Sequence, residues 1–476
     1  MGETIGEKTA VAEVSPASQD DAHAKCSFLA SFSREEEQRI MSKVNRRFCL
    51  LIGVMYLIKS MDMSNAASVK VLQVGQPSNI LNELNMTADQ FNWVQSIYYI
   101  SYIIFEVPSN LLLKKMTPKL WQTRIFLTWG AVLACHAAVR NRQGLIGVRF
   151  ILAMLETGFF PGILTQLNSW YRTDEVAKPI AWLLSIHQGS SIVGSLLCYA
   201  ISYMNGMRGM SAWRWVFLLE GLLTVLFSGI IYLVLPDYPK SPSSNKWLTR
   251  REQEFIEARL SSDAPKTNDS AFDRDEIFAT LKSPTQWSFT LSQLLVNIAS
   301  YALMWYLPTI TTSLGFTSLP SNQLLNIPPA AIGAIGIIIA AWINNAGMIV
   351  GFILFFTVSS PGALYAACMI GSFFTSTYYI LFLAWRSATM KGSTGTAFAW
   401  GLQNCLGQVG GVIGPQLFQS KWAYNRYKNS FAIAVASVIA AIFANLWSWW
   451  LTNNSEKNIL QEARARRGEK RADNEV

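Results

Sequence analysis

The sequence predicts an all-α membrane protein built as two sets of six helices. Three observations carry this. Apolar stretches separated by short polar breaks fill the chain from Phe48 to Leu451. Only 14% of the 476 residues are charged, against roughly a quarter in an average soluble domain. The longest interior polar stretch, Pro236 to Pro284, falls between the sixth and seventh apolar stretches and divides the chain in two.

A helix needs about 20 apolar residues to cross the hydrocarbon core. Candidate spans lie at 47–66, 90–113, 120–139, 144–170, 178–203, 213–235, 286–307, 324–343, 346–358, 361–385, 393–418 and 429–451. With all twelve, both chain ends fall on one side. The expected plan starts with a cytoplasmic disordered tail at 1–45, rich in Ser, Ala, Asp and Glu. A six-helix bundle follows at 46–235, a cytoplasmic loop at 236–285, a second bundle at 286–451 and a basic cytoplasmic tail at 452–476. No cleavable leader is visible, so the first apolar stretch is expected to act as its own insertion signal. The stretch 346–358 is the misfit. At about 1.5 Å per residue it falls short of the roughly 30 Å core, and Ser359-Ser360-Pro361-Gly362 closes it. A shortened ninth helix is expected, through a real deletion or an error in the gene model.

Basic residues set the orientation. Arg46-Arg47, Lys114-Lys115, Arg172, the central loop and Arg464, Arg466 and Arg467 alternate onto one side, taken as cytoplasmic. Arg140, Arg142, Lys421, Arg426 and Lys428 fall on the other side, so the signal is imperfect. Asn85-Met86-Thr87 is a glycosylation sequon. This orientation puts Asn85 in the first outer loop, which favours a glycoprotein of the plasma membrane.

The net charge of +9 does not indicate a nucleic-acid partner, because Lys and Arg gather at the ends of apolar stretches. The six Cys and three His show no C-x-x-C spacing and no pairing, so neither a metal nor a disulfide framework is expected. With no Walker loop and no G-x-S-x-G elbow, no cofactor and no enzyme chemistry is expected.

The charges inside apolar stretches are the functional clues. An ionised group at bilayer depth costs at least a few kcal/mol unless it pairs or meets water. Arg149 and Glu156 lie seven residues apart, on one face of a helix. Arg149 can hold a substrate carboxylate through two parallel hydrogen bonds, or lock to Glu156 or to backbone. Glu156 can carry a proton, or serve as a fixed ion pair. Lys59 and Asp62 are a candidate ion pair that also offers a switch. Tyr98, Tyr102, Glu106 and Asn110 share a face. Tyr102 can contact a solute and Glu106 can titrate, or the group can clamp helices beside Pro108. His187 can carry a proton or simply be hydrogen-bonded. Glu220 is expected to be structural. The second set of helices offers Asn297, Tyr301, Gln403 and Asn404, which are polar and uncharged. The expected division is charge and protons in the first half, and the organic body of the solute in the second. Small polar residues that merely pack helices are the other reading.

Several stretches carry a resemblance. They include Met61-Asp62-Met63-Ser64-Asn65, Phe105-Glu106-Val107-Pro108-Ser109-Asn110-Leu111, Arg149 through Glu156 to Phe159-Phe160-Pro161-Gly162, and Trp213-Arg214-Trp215 running on to Glu220-Gly221. Over about residues 46–452 the chain resembles the anion:cation symporter branch of the major facilitator superfamily, and within it the fungal allantoate permease group. That group includes carriers of nicotinate, pantothenate, biotin, allantoate and small peptides. The resemblance implies the major facilitator fold and proton-coupled uptake of a small organic anion by a monomer in the lipid bilayer. Two departures stand out. Met63 replaces a basic residue usual after the first-helix aspartate, and the Arg-rich loop usual between helices eight and nine is missing. An exporter, a nutrient sensor of transporter shape and an inactive product of a truncated gene are the rival readings.

Overall fold

The computed structural model describes residues 25, 27–113, 116–172, 175, 177–260, 274–313, 321–329, 331–332, 361–389, 393–425 and 427–472. These residues form helices and no strand. Helix α1 (Arg34–Val69) opens with a capping box, in which Ser33 and Glu36 each accept the other's backbone N–H. It begins inside the expected disordered tail, so residues 34–45 correct that expectation. Residues 1–24 lie outside the described residues. Helix α2 (Ala88–Leu113) starts where Thr87 Oγ1 and Gln90 Oε1 accept the partner's N–H at 3.2 and 3.0 Å. The sequon's threonine is therefore a helix cap, while Asn85 is exposed beside it. Thr117 caps α3 (Pro118–Cys135), with Pro118 at the first turn.

The fourth span is two helices, α4 (Arg142–Glu156) and α5 (Phe159–Asn168). Gly158 between them has φ +84°, a left-handed conformation that side chains resist. A break inside the bilayer must satisfy its freed carbonyls. Ser109 Oγ donates to the Thr157 carbonyl at 2.7 Å, Trp121 Nε1 to Gly158 at 3.2 Å and Gln122 Nε2 to Phe159 at 3.2 Å. Helices α6 (Ala177–Ser202) and α7 (Ala212–Val234) complete the first half.

The central loop is partly folded onto that half. Thr249 and Glu252 form the capping box of α8 (Arg250–Arg259). Glu252 also takes Lys43 Nζ of α1 at 2.6 Å, and Phe255 packs on Phe32 with ring centroids 4.6 Å apart. The start of 236–285 thus belongs with the first bundle rather than serving as a free connector.

The second half contains α9 (Pro284–Ser313), α10 (Pro361–Ala388), α11 (Ser393–Gly407), α12 (Val409–Gln416) and α13 (Lys428–Ala472). The stretch 346–358, expected to be a shortened ninth helix, lies outside the described residues, as does most of 324–343.

Among the described residues, Arg142–Leu164, Ala212–Val234 and Lys428–Asn453 are long and apolar enough to cross a membrane on their own. Leu226 and Leu233 on α7 and Phe443 and Trp450 on α13 are exposed, as a lipid-facing surface requires. The halves meet along α2. Near one end Ser420 N and Oγ donate to Asp89 Oδ1 at 2.9 and 3.0 Å, and Asn92 Nδ2 donates to the Phe418 carbonyl at 3.3 Å. Further along, Gly411 of α12 lies so close to α2 that a Cβ there would sit 2.6 Å from the Tyr99 ring.

Candidate functional site

A cavity of about 250 Å³ lies between the halves, just below the usual size range of ligand pockets. From the first half Tyr56, Lys59, Met63, Tyr102 and His187 line it, and from the second Gln293, Asn297, Tyr301, Tyr379 and Asn404.

Helical geometry explains the split of α1. Lys59 and Met63, four residues apart, share the face that lines the cavity. Asp62 and Asn65 turn into the first half. Asp62 Oδ2 accepts from Trp129 Nε1 of α3 at 3.2 Å, and the Asn65 amide donates to Glu220 of α7. Lys59 is consequently paired not with Asp62 but with Glu156, its Nζ 3.4 Å from Glu156 Oε1. The other oxygen, Oε2, accepts from Tyr98 OH at 2.7 Å. Glu156 is the last residue of α4, directly before the break, so the kink places its carboxyl beside α1.

Arg149, the sequence's first candidate for an anion, is absent from the cavity lining. It is 3% exposed and its guanidinium lies 5.1 Å from the centre of the Phe217 ring. Its charge reaches Asp62 and Glu220 electrostatically, so it balances buried carboxylates within the first half.

Glu106 is fully buried, and its Oε1 accepts from Asn404 Nδ2 of α11 at 2.6 Å. This bond joins the two halves. His187 faces the cavity and its Nδ1 meets Ser60 Oγ. In the second half Asn297 Nδ2 donates to the Gly407 carbonyl at 2.8 Å, and Tyr301 OH donates to Gln408 Oε1 at 2.8 Å. Gln403 does not line the cavity. It donates to Gln293 Oε1 at 2.8 Å and accepts from Arg386 Nε at 3.0 Å.

Arg386 corrects the expectation of an uncharged second half. It is buried, it also donates to Gln286 and Thr389, and it lies over the Phe289 ring. It sits just past the expected end of its span at 385, and that position is why the sequence reading passed over it. Lys59 as a cavity cation was missed for another reason. Its partner Glu156 is far along the chain, whereas Asp62 is adjacent by sequence.

A cavity at the join of two helical halves, with polar side chains of both in its wall, is the arrangement of a solute carrier. Residues 52–415 match the family model described as Major Facilitator Superfamily. The chain belongs to the Major Facilitator Superfamily. Among similar proteins, the MFS transporter prlL of a fungal species (strain NRRL 50135) is 29% identical, with 85% of this chain and 86% of that protein covered. The MFS-type transporter cnsO of Penicillium expansum is 26% identical over 90% of this chain and 85% of that one. A putative tartrate transporter of Agrobacterium vitis is 26% identical over 80% and 88%. The crystal structure of a bacterial homologue of the human lysosomal transporter Spinster, inward-facing and unoccupied, shares the fold. Its TM-score is 0.60 at 14% identity, covering 85% of this chain and 96% of that one. This Major Facilitator Superfamily member is a multi-pass membrane transporter of small molecules and not an enzyme.

Proposed function

We propose that this transporter takes up a small organic anion together with protons by alternating access. The observation that carries the reading is the Lys59–Glu156 pair at the cavity wall, a cation whose partner is a carboxyl able to accept a proton. A proton on Glu156 frees Lys59 for the solute's carboxylate. Charge burial then stays balanced in both loaded and empty states, which lowers the barrier to the halves rocking past each other. Tyr102, Asn297, Tyr301 and Asn404 supply hydrogen bonds to the rest of the solute. Asp62 and His187 stand close enough to tune the pair, and Arg149 is assigned to holding Asp62 in place. The name of the Agrobacterium vitis relative, a putative tartrate transporter, supports an organic anion as the class of solute and leaves its number of charges open. The likeness of Glu106-Val107-Pro108-Ser109-Asn110 to the allantoate permease group favours vitamin-like carboxylates, ureides or small peptides. A monomer in the plasma membrane, glycosylated at Asn85, completes the reading.

The test is uptake of labelled nicotinate, pantothenate, biotin, allantoate, ureidosuccinate and dipeptides by cells lacking their own carriers, at acid and neutral pH, with surface expression verified. Acid-stimulated uptake of one compound, lost in Lys59→Ala, is the expected result. Uptake that stays flat from acid to neutral pH, with solute ionisation controlled, removes the proton coupling. Tolerance to a compound without its accumulation indicates export.

A further inference from the structure

Resting on the anion reading above, we infer that the cavity selects monoanions over dianions. Among the described residues that line it, Lys59 is the sole Lys or Arg. The sequence closes off other sources of charge. From Ser283 to Trp385, through α9 and most of α10 and across everything between them, there is no Asp, Glu, Lys, Arg or His. Nothing on that wall can meet a second carboxylate with a charge.

The remaining cations are committed elsewhere. Arg386 donates to Gln403, Gln286 and Thr389, away from the cavity. Arg149 lies inside the first half, over Phe217 and within electrostatic range of Asp62 and Glu220, and it does not line the cavity. His187 does line the cavity, but it stands near Lys59, and two neighbouring cations repel. With Glu156 protonated, the site therefore offers one positive charge. A first carboxylate on Lys59 uses it. A second carboxylate meets a second-half wall that has amides and hydroxyls, among them Gln293, Asn297, Tyr379 and Asn404, but no countercharge, and a buried charge without an ionic partner is strongly disfavoured. Tyr56, Tyr102, Phe160, Tyr301 and Tyr379 line the same cavity as this one charge, which suits a flat body attached to a single carboxylate. A dicarboxylate such as tartrate or ureidosuccinate is refused, whatever the name of a relative.

The test uses the purified full-length protein at about pH 6, acid enough to favour a proton on Glu156 yet above the range in which ordinary carboxyls protonate. Thermal-shift titrations compare nicotinate, pyridine-2,3-dicarboxylate and nicotinamide, then benzoate, phthalate and benzamide. The expected result is that each monoacid binds at least about tenfold tighter than its diacid, as one uncompensated charge implies. Met63→Lys, one turn from Lys59 on the same wall, should bring the diacid to within about threefold of the monoacid. The double variant Lys59→Gln/Glu156→Gln, which introduces no charge, should bind acid and amide alike. It provides the second measurement if Met63→Lys fails to fold. A diacid that binds the native protein as tightly as its monoacid overturns this inference and leaves the anion reading standing. Amides that bind where neither acid does overturn both, and so does binding of neither acid.

Discussion

At the scale of single residues, the protein handles buried charge by pairing it, and the pairs differ in what their loss would do. Lys59→Met leaves Glu156 buried without its cation, which costs about 3–5 kcal/mol in a buried pair. The expected outcome is a lower melting temperature, recovered in Lys59→Met/Glu156→Gln because the second change removes the orphaned charge. Anion binding should stay lost in both, so melts and uptake together separate stability from recognition. Outside the membrane, Glu83 shows the opposite balance. Burial alone would raise its carboxyl, but hydrogen bonds from Ser211, Arg214 and Trp213 outweigh burial and hold it below the ordinary carboxylate value. Arg214 Nη2 donates at 2.6 Å and Trp213 Nε1 at 2.7 Å. A depressed folded pKa adds stability above the unfolded value of about 4.3 and loses it as pH falls through the lower folded one. Glu83→Gln should cost about 1–3 kcal/mol at neutral pH and flatten the loss of stability below about pH 4.3. Melts at a series of pH values check both.

Among the elements, the broken fourth span sets the geometry of the site. At Gly158 a Cβ would sit 2.5 Å from Ser109 Oγ and 2.9 Å from the Trp121 ring, on a backbone at φ +84°. Gly158→Ala should cost about 1–3 kcal/mol and loosen the placement of Glu156, read as a lower melting temperature and weaker anion binding. Ser109→Ala leaves the Thr157 carbonyl unpaired and should cost about 1 kcal/mol. This break was hidden in the sequence because Phe159-Phe160-Pro161-Gly162 continues the apolar run. The spans themselves were legible, since twenty apolar residues in a row leave little choice of structure. The early start of α1 was not. Its Arg34-Glu35-Glu36-Glu37 run has the composition of a free tail, and it is folded by contacts with α8 much later in the chain. The pairing of Lys59 was misread for the same physical reason. Spacing along a helix nominates Asp62, yet Trp129 on α3 holds Asp62 and the kink after α4 delivers Glu156.

For the whole molecule, the two-bundle plan could be read from one polar stretch, but the contacts that join the bundles could not, because they depend on how α2 lies against α11 and α12. The most consequential of them starts in the cavity. Tyr301 OH donates to Gln408 Oε1, Gln408 Nε2 to Asn404 Oδ1 at 3.3 Å, and Asn404 Nδ2 to Glu106 Oε1. Every donor points toward the buried carboxyl in the other half. Lys59, Tyr102 and Cys405 are the charged or titratable groups that share its field. A solute that takes the Asn404 amide for itself removes a bond between the halves, so loading and release of the halves become one event. Asn404→Asp sets two carboxyls against each other and should weaken the join. Adding Glu106→Gln restores an amide–carboxylate bond with its polarity reversed. Cys405 reports on this join, since its Sγ donates to the Ile103 carbonyl of α2 at 3.4 Å and it is buried there. With the other cysteines replaced, maleimide labelling of Cys405 should run roughly tenfold faster in Asn404→Asp, the equivalent of about 1.4 kcal/mol. It should return to the native rate in Glu106→Gln/Asn404→Asp. Labelling that is equally slow in the native chain, the single and the double variant would mean that other contacts along α2 hold the halves together and that this bond does not govern their parting.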